Sequence, residues 1–176
     1  MDKPHLTLAK SYWQAHLQPH DIAIDATCGN GHDTLFLTEL CHTIGLDIQP
    51  EAIAKTNIHA PKAILHRLSH AHIDQIPLPY APRLIVYNLG YLPGGNKSIT
   101  TQTDSTLDSV QKGLELLAPN GALSITCYPG HDEGLREETA LLEWAAALPS
   151  SRYQVCHHRW LNRHRSPSLL WIALLP

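Results

Sequence analysis

A chain of 176 residues suits one domain with a sizeable core, and 43% apolar against 16% charged residues is a globular composition with few surface charges. A net charge of −3 and a pI near 6.5 argue against a strongly basic nucleic-acid binder. No acid follows Glu143, however, whereas Arg152, Arg159, Arg163 and Arg165 do, so a local basic face for phosphates and scattered solvated arginines both stay open. Cys28, Cys41, Cys127 and Cys156 form no Cys-x-x-Cys pair, which points to reduced, structural thiols in a cytoplasmic protein. The first twenty residues carry Asp2, Lys3 and Lys10 with no apolar core segment, so no signal peptide is expected. The apolar runs are too short to span a bilayer.

Leu6, Ala9, Trp13 and Leu17 recur at helical spacing and predict a helix over 6–17 packed on the remainder of a single domain, 1–176. Residues 21–25 are short, apolar and β-prone. Asp25-Ala-Thr-Cys-Gly-Asn-Gly-His-Asp-Thr34 follows, and 34–40 reads as an amphipathic helix. Strand, glycine-bearing turn and helix make a pocket whose helix N–H groups point back into the turn. Gly29 and Gly31 let backbone approach a ligand closely. Asp25 at the strand end suits a ligand with a positive amino group better than a pyrophosphate, and the third glycine of a dinucleotide fingerprint is Thr34 here. The alternative is an ordinary tight turn that binds nothing.

The second strand, 43–48, brings Asp47 to its end, where a carboxylate can accept both ribose hydroxyls of an adenosine. Gln49 can reach the same sugar or the adenine edge, while Asp47 could instead cap the helix 50–57. A third strand, 62–68, runs into Ser69-His-Ala-His72, two histidines without the carboxylate framework of a metal site. The fourth strand, 82–89, is apolar enough to be central and runs into the loop Gly90-Tyr-Leu-Pro-Gly-Gly-Asn-Lys97. The hydroxyl-rich stretch 98–105 reads as a phosphate-contacting lid or simply a loop. A helix opens at Asp104 or Ser105 and stops at Pro119-Asn-Gly121, and a fifth strand covers 121–128. His131, just beyond it, is a candidate general base or substrate-orienting group, or else belongs to the N-cap of the helix 132–147. Two last strands, 152–160 and 168–175, flank the basic loop Leu161-Asn-Arg-His-Arg-Ser-Pro167.

Asp25-x-x-x-Gly29-x-Gly31 resembles motif I of class I methyltransferases, with Thr27 in place of their first glycine. Asn88-Leu-Gly-Tyr91 resembles the Asn-Pro-Pro-Tyr motif IV of amino-group methyltransferases, with both prolines replaced. With Gly45-Leu-Asp-Ile-Gln49, Ser69-His70, Tyr128-Pro-Gly-His131 and Pro167-Ser-Leu-Leu-Trp-Ile172, these stretches resemble the small bacterial family of rRNA methylases that includes the MnmM-type tRNA (mnm5s2U) methyltransferases. The resemblance implies an α/β fold, a Rossmann-like class I methyltransferase with a mostly parallel seven-stranded sheet, helices on both faces and an antiparallel final strand. It implies S-adenosyl-L-methionine as cofactor, held by Asn30, Asp33, Asp47, Gln49, Ser69 and His70 beside the turn residues Asp25, Gly29 and Gly31. Asn88 and Tyr91, with His131, would align an acceptor amine, and no covalent intermediate is expected.

The implied substrate is the 5-aminomethyl group of a 2-thiouridine at the tRNA wobble position. Lys97, Arg159, Arg163 and Arg165 would hold the tRNA, with no metal and no membrane, and a homodimer would widen the RNA face. Asn96 departs from the acid of the family's Gly-Gly-Asp-Lys version, and the C-terminal segment is short of the usual basic strand ending. Methylation of rRNA or of an exocyclic base amine is an alternative on the same fold. A nicotinamide-linked oxidoreductase and a non-catalytic RNA-binding protein are alternatives of other classes.

Overall fold

A computed structural model describes residues 3–90 and 102–176. Seven strands, β1 (Ile22–Asp25), β2 (His42–Asp47), β3 (Ile64–Arg67), β4 (Leu84–Asn88), β5 (Ala122–Cys127), β6 (Tyr153–His158) and β7 (Ser168–Leu174), alternate with helices in the order of a wound α/β sheet. The helices are α1 (Pro4–His16), α2 (His32–Thr38), α3 (Pro50–His59), a 3-10 helix (His70–Gln75), α4 (Thr103–Leu116) and α5 (Asp132–Ala146). The strands join in one sheet, β3-β2-β1-β4-β5-β7-β6. All pairs are parallel except those of β7, which lies antiparallel between β5 and β6. The expected antiparallel final strand is therefore β7. The direction of β6 follows that of β5, so the β6–β7 connection emerges at the same sheet edge as the turns after β1, β2, β4 and β5.

Strand side chains alternate between two separate cores, as the pleat requires. Ile24, Ile85, Tyr87, Leu123, Ile125 and Leu170 pack with Val110 of α4 and Leu141 of α5. Ala23, Leu84, Val86, Leu169 and Trp171 face the other way, onto Ala9 and Trp13 of α1 and Leu37 of α2. Helices thus cover both faces, and burial on both sides explains why the central strands read as continuous apolar runs. Element limits differ from the expected ones by a few residues for local reasons. Pro4 opens α1 two residues early because proline fits a helix's first turn. Gly31, at φ +84°, ends the turn and starts α2 at His32.

The N-terminal helix is integral to the sheet. Trp13 is buried, and its indole Nε1 donates to Ser124 Oγ at 2.8 Å. Trp13→Ala is expected to lower stability by about 3–5 kcal/mol through the cavity it leaves. Trp13→Phe should cost less, roughly 1–3 kcal/mol, mostly for the unpaired Ser124 hydroxyl. Urea unfolding midpoints check both; equal losses would mean that the cavity matters little and that the lost hydrogen bond carries the effect.

Candidate functional site

The turn after β1 is built on one buried carboxylate. Asp25 is 1% exposed, and its Oδ2 accepts from the Thr34 hydroxyl at 2.7 Å while Oδ1 accepts from the Thr27 N–H at 3.2 Å. Burial first, and the charge of Asp33 second, push its pKa up to about 7 against these two donors. Gly31 is packed so closely on α3 that a Cβ would stand 2.8 Å from the Thr56 Cα. Here the geometry corrects the sequence expectation. Asp25 and Gly31 are not in the wall of the cavity above the turn; they hold the turn that forms it. A carboxylate already satisfied by two donors gains little by turning outward.

That cavity, about 1140 Å³, opens at the C-terminal edge of the sheet. Gly29, Asn30, Asp33, Asp47 and Gln49 form one part of its wall, and Ser69 and His70 another. Asp47 Oδ2 accepts from the Gly29 N–H at 3.0 Å and Oδ1 from the Gln49 N–H at 2.9 Å. Burial raises the Asp47 pKa and those N–H groups lower it. Each oxygen keeps a second lone pair that a ribose hydroxyl can use. Ser69 Oγ accepts from the Ala71 N–H at 3.3 Å and caps the 3-10 helix. His70 is kept neutral by burial, its pKa lowered to about 4. Its Nδ1 is buried with no hydrogen-bond partner among the described residues. A buried polar atom in want of a partner, near a carboxylate with spare lone pairs, fits an adenosine.

Asn88 and His131 also line the cavity. Asn88 Nδ2 donates to Asp33 Oδ2 at 2.9 Å, and its backbone N–H donates to Thr27 Oγ1 at 2.8 Å. His131 is the N-cap of α5, with Nδ1 accepting from the Gly134 N–H at 3.0 Å. A neutral imidazole has one lone pair. Using it in the cap places the proton on Nε2, so the general-base expectation gives way to its capping alternative, and a donor role remains. Arg165 reaches the cavity wall and stands 3.8 Å from Asp132, while Arg159 and Arg163 are exposed on the same connection. Tyr91 and Lys97 lie outside the described residues. Among the described residues no cluster of three or more His, Cys, Asp or Glu could hold a metal. Nor is any helix there long and apolar enough to cross a membrane.

Sequence reasoning missed Tyr128 and His5. Tyr128 lines the cavity, and its hydroxyl meets His5 Nε2 at 3.3 Å. Burial lowers the His5 pKa to about 4, so this contact involves a neutral ring. Gly134 lets α5 approach: a Cβ there would fall 2.1 Å from the Tyr128 carbonyl oxygen. The local pattern Tyr128-Pro-Gly-His131 marks the loop, but nothing local connects it with a histidine 123 positions away.

The family model described as "Putative rRNA methylase" matches residues 43–173. A curated relative from Arabidopsis thaliana, named tRNA (mnm(5)s(2)U34)-methyltransferase, chloroplastic, is 35% identical over 94% of this chain and 67% of its own length. A solved structure from Clostridium thermocellum, described as a "putative rRNA-methylase", superposes with a TM-score of 0.93 at 30% identity, covering 99% of this chain and 100% of that one. Another, a "putative methyltransferase" from Streptococcus mutans in complex with SAH, gives 0.89 at 32% identity, covering 99% and 100%.

The buried Asp25 makes stability depend on pH in a defined direction. Its folded pKa near 7 lies above the ordinary carboxylate value of 3.8, so between the two the folded state binds more protons than the unfolded one. The contribution is present in full below the lower value and is lost as pH rises through the upper. Relative to wild type, Asp25→Asn should therefore gain on the order of a few kcal/mol between pH 4 and pH 8. Unfolding free energies across that range check it; parallel curves would mean that Asp25 ionises normally.

Proposed function

The chain belongs to the rRNA methylase family and is an S-adenosylmethionine-dependent methyltransferase; from that premise we propose that it methylates the aminomethyl nitrogen at C5 of a 2-thiouridine at the wobble position of tRNA. The observation that carries this reading is Asn88: a neutral hydrogen-bonding side chain in the cavity wall, oriented by Asp33, in a motif that resembles those of amino-group methyltransferases. The substrate named for the Arabidopsis relative supplies the nucleoside.

S-adenosylmethionine supplies an electrophilic methyl on a sulfonium. Asp47 and Gln49 would hold the ribose, and Ser69 and His70 the adenine. Gly29, Asn30 and Asp33 would face the amino-acid end, with Asp25 and Gly31 supporting them from below. On the acceptor side, the Asn88 oxygen accepts an N–H of the amine and so directs the nitrogen lone pair. Tyr91 would stack on the base. His131, its lone pair engaged in the cap, would orient the substrate through Nε2–H. The amine must lose its proton before transfer, and a water beside Asn88 is the acceptor. Lys97, Arg159, Arg163 and Arg165 would contact phosphates. We take residues 1–176 to act as one domain. The free cysteines fit a reducing compartment such as the cytoplasm.

The direct test is methyl transfer to an anticodon stem-loop carrying 5-aminomethyl-2-thiouridine, with nucleosides analysed by mass spectrometry. Conversion to the methylaminomethyl nucleoside is expected, and Asn88→Ala should reduce kcat by about 100-fold. Methylation of an rRNA fragment in place of the stem-loop would move the assignment to that substrate.

Replacing Arg159, Arg163 and Arg165 by alanine should raise KM for the RNA and leave cofactor affinity unchanged. It should also flatten the slope of log affinity against log salt by roughly 2 for three lost phosphate contacts. An unchanged slope would remove the connection from the RNA footprint.

A further inference from the structure

We propose that Asp33 is the positioning residue of the methyl-accepting site: its carboxylate holds the Asn88 carboxamide so that the oxygen, and not the NH2, is presented to the acceptor nitrogen. This role rests on the amine acceptor proposed above and differs from a cofactor contact.

A primary carboxamide is nearly symmetric in shape, and its two ends do opposite things. The oxygen accepts from an amine N–H and leaves the nitrogen lone pair directed elsewhere. The NH2 end would instead donate to that lone pair and block it. A site that relies on Asn88 needs something to choose between the two. An ionised carboxylate can only accept, so a contact of 2.9 Å between Asp33 Oδ2 and Asn88 Nδ2 fixes which end is which. The bond is charge-assisted, which makes it stronger than a neutral pair and draws electron density toward the carboxamide oxygen.

The backbone of Asn88 is fixed from the same turn. Thr27 Oγ1 accepts its N–H at 2.8 Å, and the Thr27 N–H itself donates to the buried Asp25 at 3.2 Å. The next residue is held from the other side, with the Leu89 N–H donating to the Thr126 carbonyl at 3.0 Å. Asp33 stands in the first turn of α2, where a negative charge is favoured by the helix dipole. The cofactor-side turn therefore sets both the position and the flip of the acceptor-side asparagine, across 55 positions of sequence.

Three variants and two readouts test this. Asp33→Ala removes the acceptor, Asp33→Asn keeps an acceptor oxygen without the charge, and Asn88→Ala removes the group being held. In 15N-labelled wild-type protein, an Asn88 side-chain N–H should be protected from exchange and shifted downfield. That signature should disappear in Asp33→Ala and survive in Asp33→Asn. At saturating cofactor and RNA, so that any change in cofactor affinity drops out, Asp33→Ala should lower kcat by ~30-fold or more. Asp33→Asn should recover most of the loss. In the Asn88→Ala background Asp33→Ala should cost nothing further, since the two act as one unit.

An unchanged kcat at saturating cofactor in Asp33→Ala would overturn the proposal, and so would additive losses in the double variant. An unprotected Asn88 amide in the wild type overturns it whether or not any variant folds. If the wild type transfers no methyl to the aminomethyl nucleoside while the amide is protected, the substrate reading fails and the Asp33–Asn88 pin stands.

Discussion

A carboxylate buried at the end of a central strand is costly unless it is satisfied, and Asp25 is satisfied by two donors from the turn and helix start that follow it. The Thr27 N–H holds one oxygen and the Thr34 hydroxyl the other. Those two contacts close the turn over its own strand end and fix where α2 begins. Once the turn is fixed, Thr27 can take the Asn88 N–H, Gly29 can donate to Asp47, and Asp33 can meet the Asn88 side chain. Strands β1, β2 and β4 are thereby connected at their C-terminal ends by side chains as well as by the ladder. The cofactor end and the acceptor end of the cavity have a common foundation.

That foundation is electrostatically loaded. Asp25, Asp33 and Asp47 converge on one turn, and the charges of the other two raise the Asp25 pKa beyond the effect of burial. Three carboxylates gathered at one turn make a site that a positively charged ligand relieves. An ammonium and a sulfonium are such a ligand; a pyrophosphate is the reverse. The same physics explains why a wound α/β fold of this general kind need not bind a dinucleotide. The sheet supplies the crevice, and the sign of the charge at the strand end selects the occupant.

The sheet and both helix layers were legible in the sequence because their signals are local. Apolar runs, the helical spacing of Leu6, Ala9, Trp13 and Leu17, and Pro119-Asn-Gly121 at a helix stop each act within a few residues. Asp47, Gln49, Ser69 and Asn88 were expected near a crevice for the same reason, standing at or just beyond strand ends, and they line the cavity. The errors arose where burial decides. Asp25 looked like a ligand-facing acid, but its short side chain is captured by neighbours two and nine residues ahead. The pairing of His5 with Tyr128 depends on α1 crossing the sheet, which no local pattern reports. The tautomer of His131 is set by a backbone N–H three residues on, a geometry that its ambiguous place before an acidic helix start only hints at.

The cap contact of His131 bears on what kind of catalyst the proposed site needs. In its capping pose its one lone pair is spent on Gly134, and His5 and His70 are held neutral by burial with pKa values near 4. Neither of those two buried rings suits proton uptake near neutrality. A methyl on a sulfonium is already activated, so the demand on the protein is to deliver a neutral nitrogen along the right line. A carboxamide held by a carboxylate does that without competing for the proton in water. Strong bases in the cavity would also be methylated or would trap the ammonium form of the substrate. A site of hydrogen-bond acceptors with fixed directions, set on a buried carboxylate and closed by a helix cap, meets the requirement with side chains whose charges need not change during the reaction.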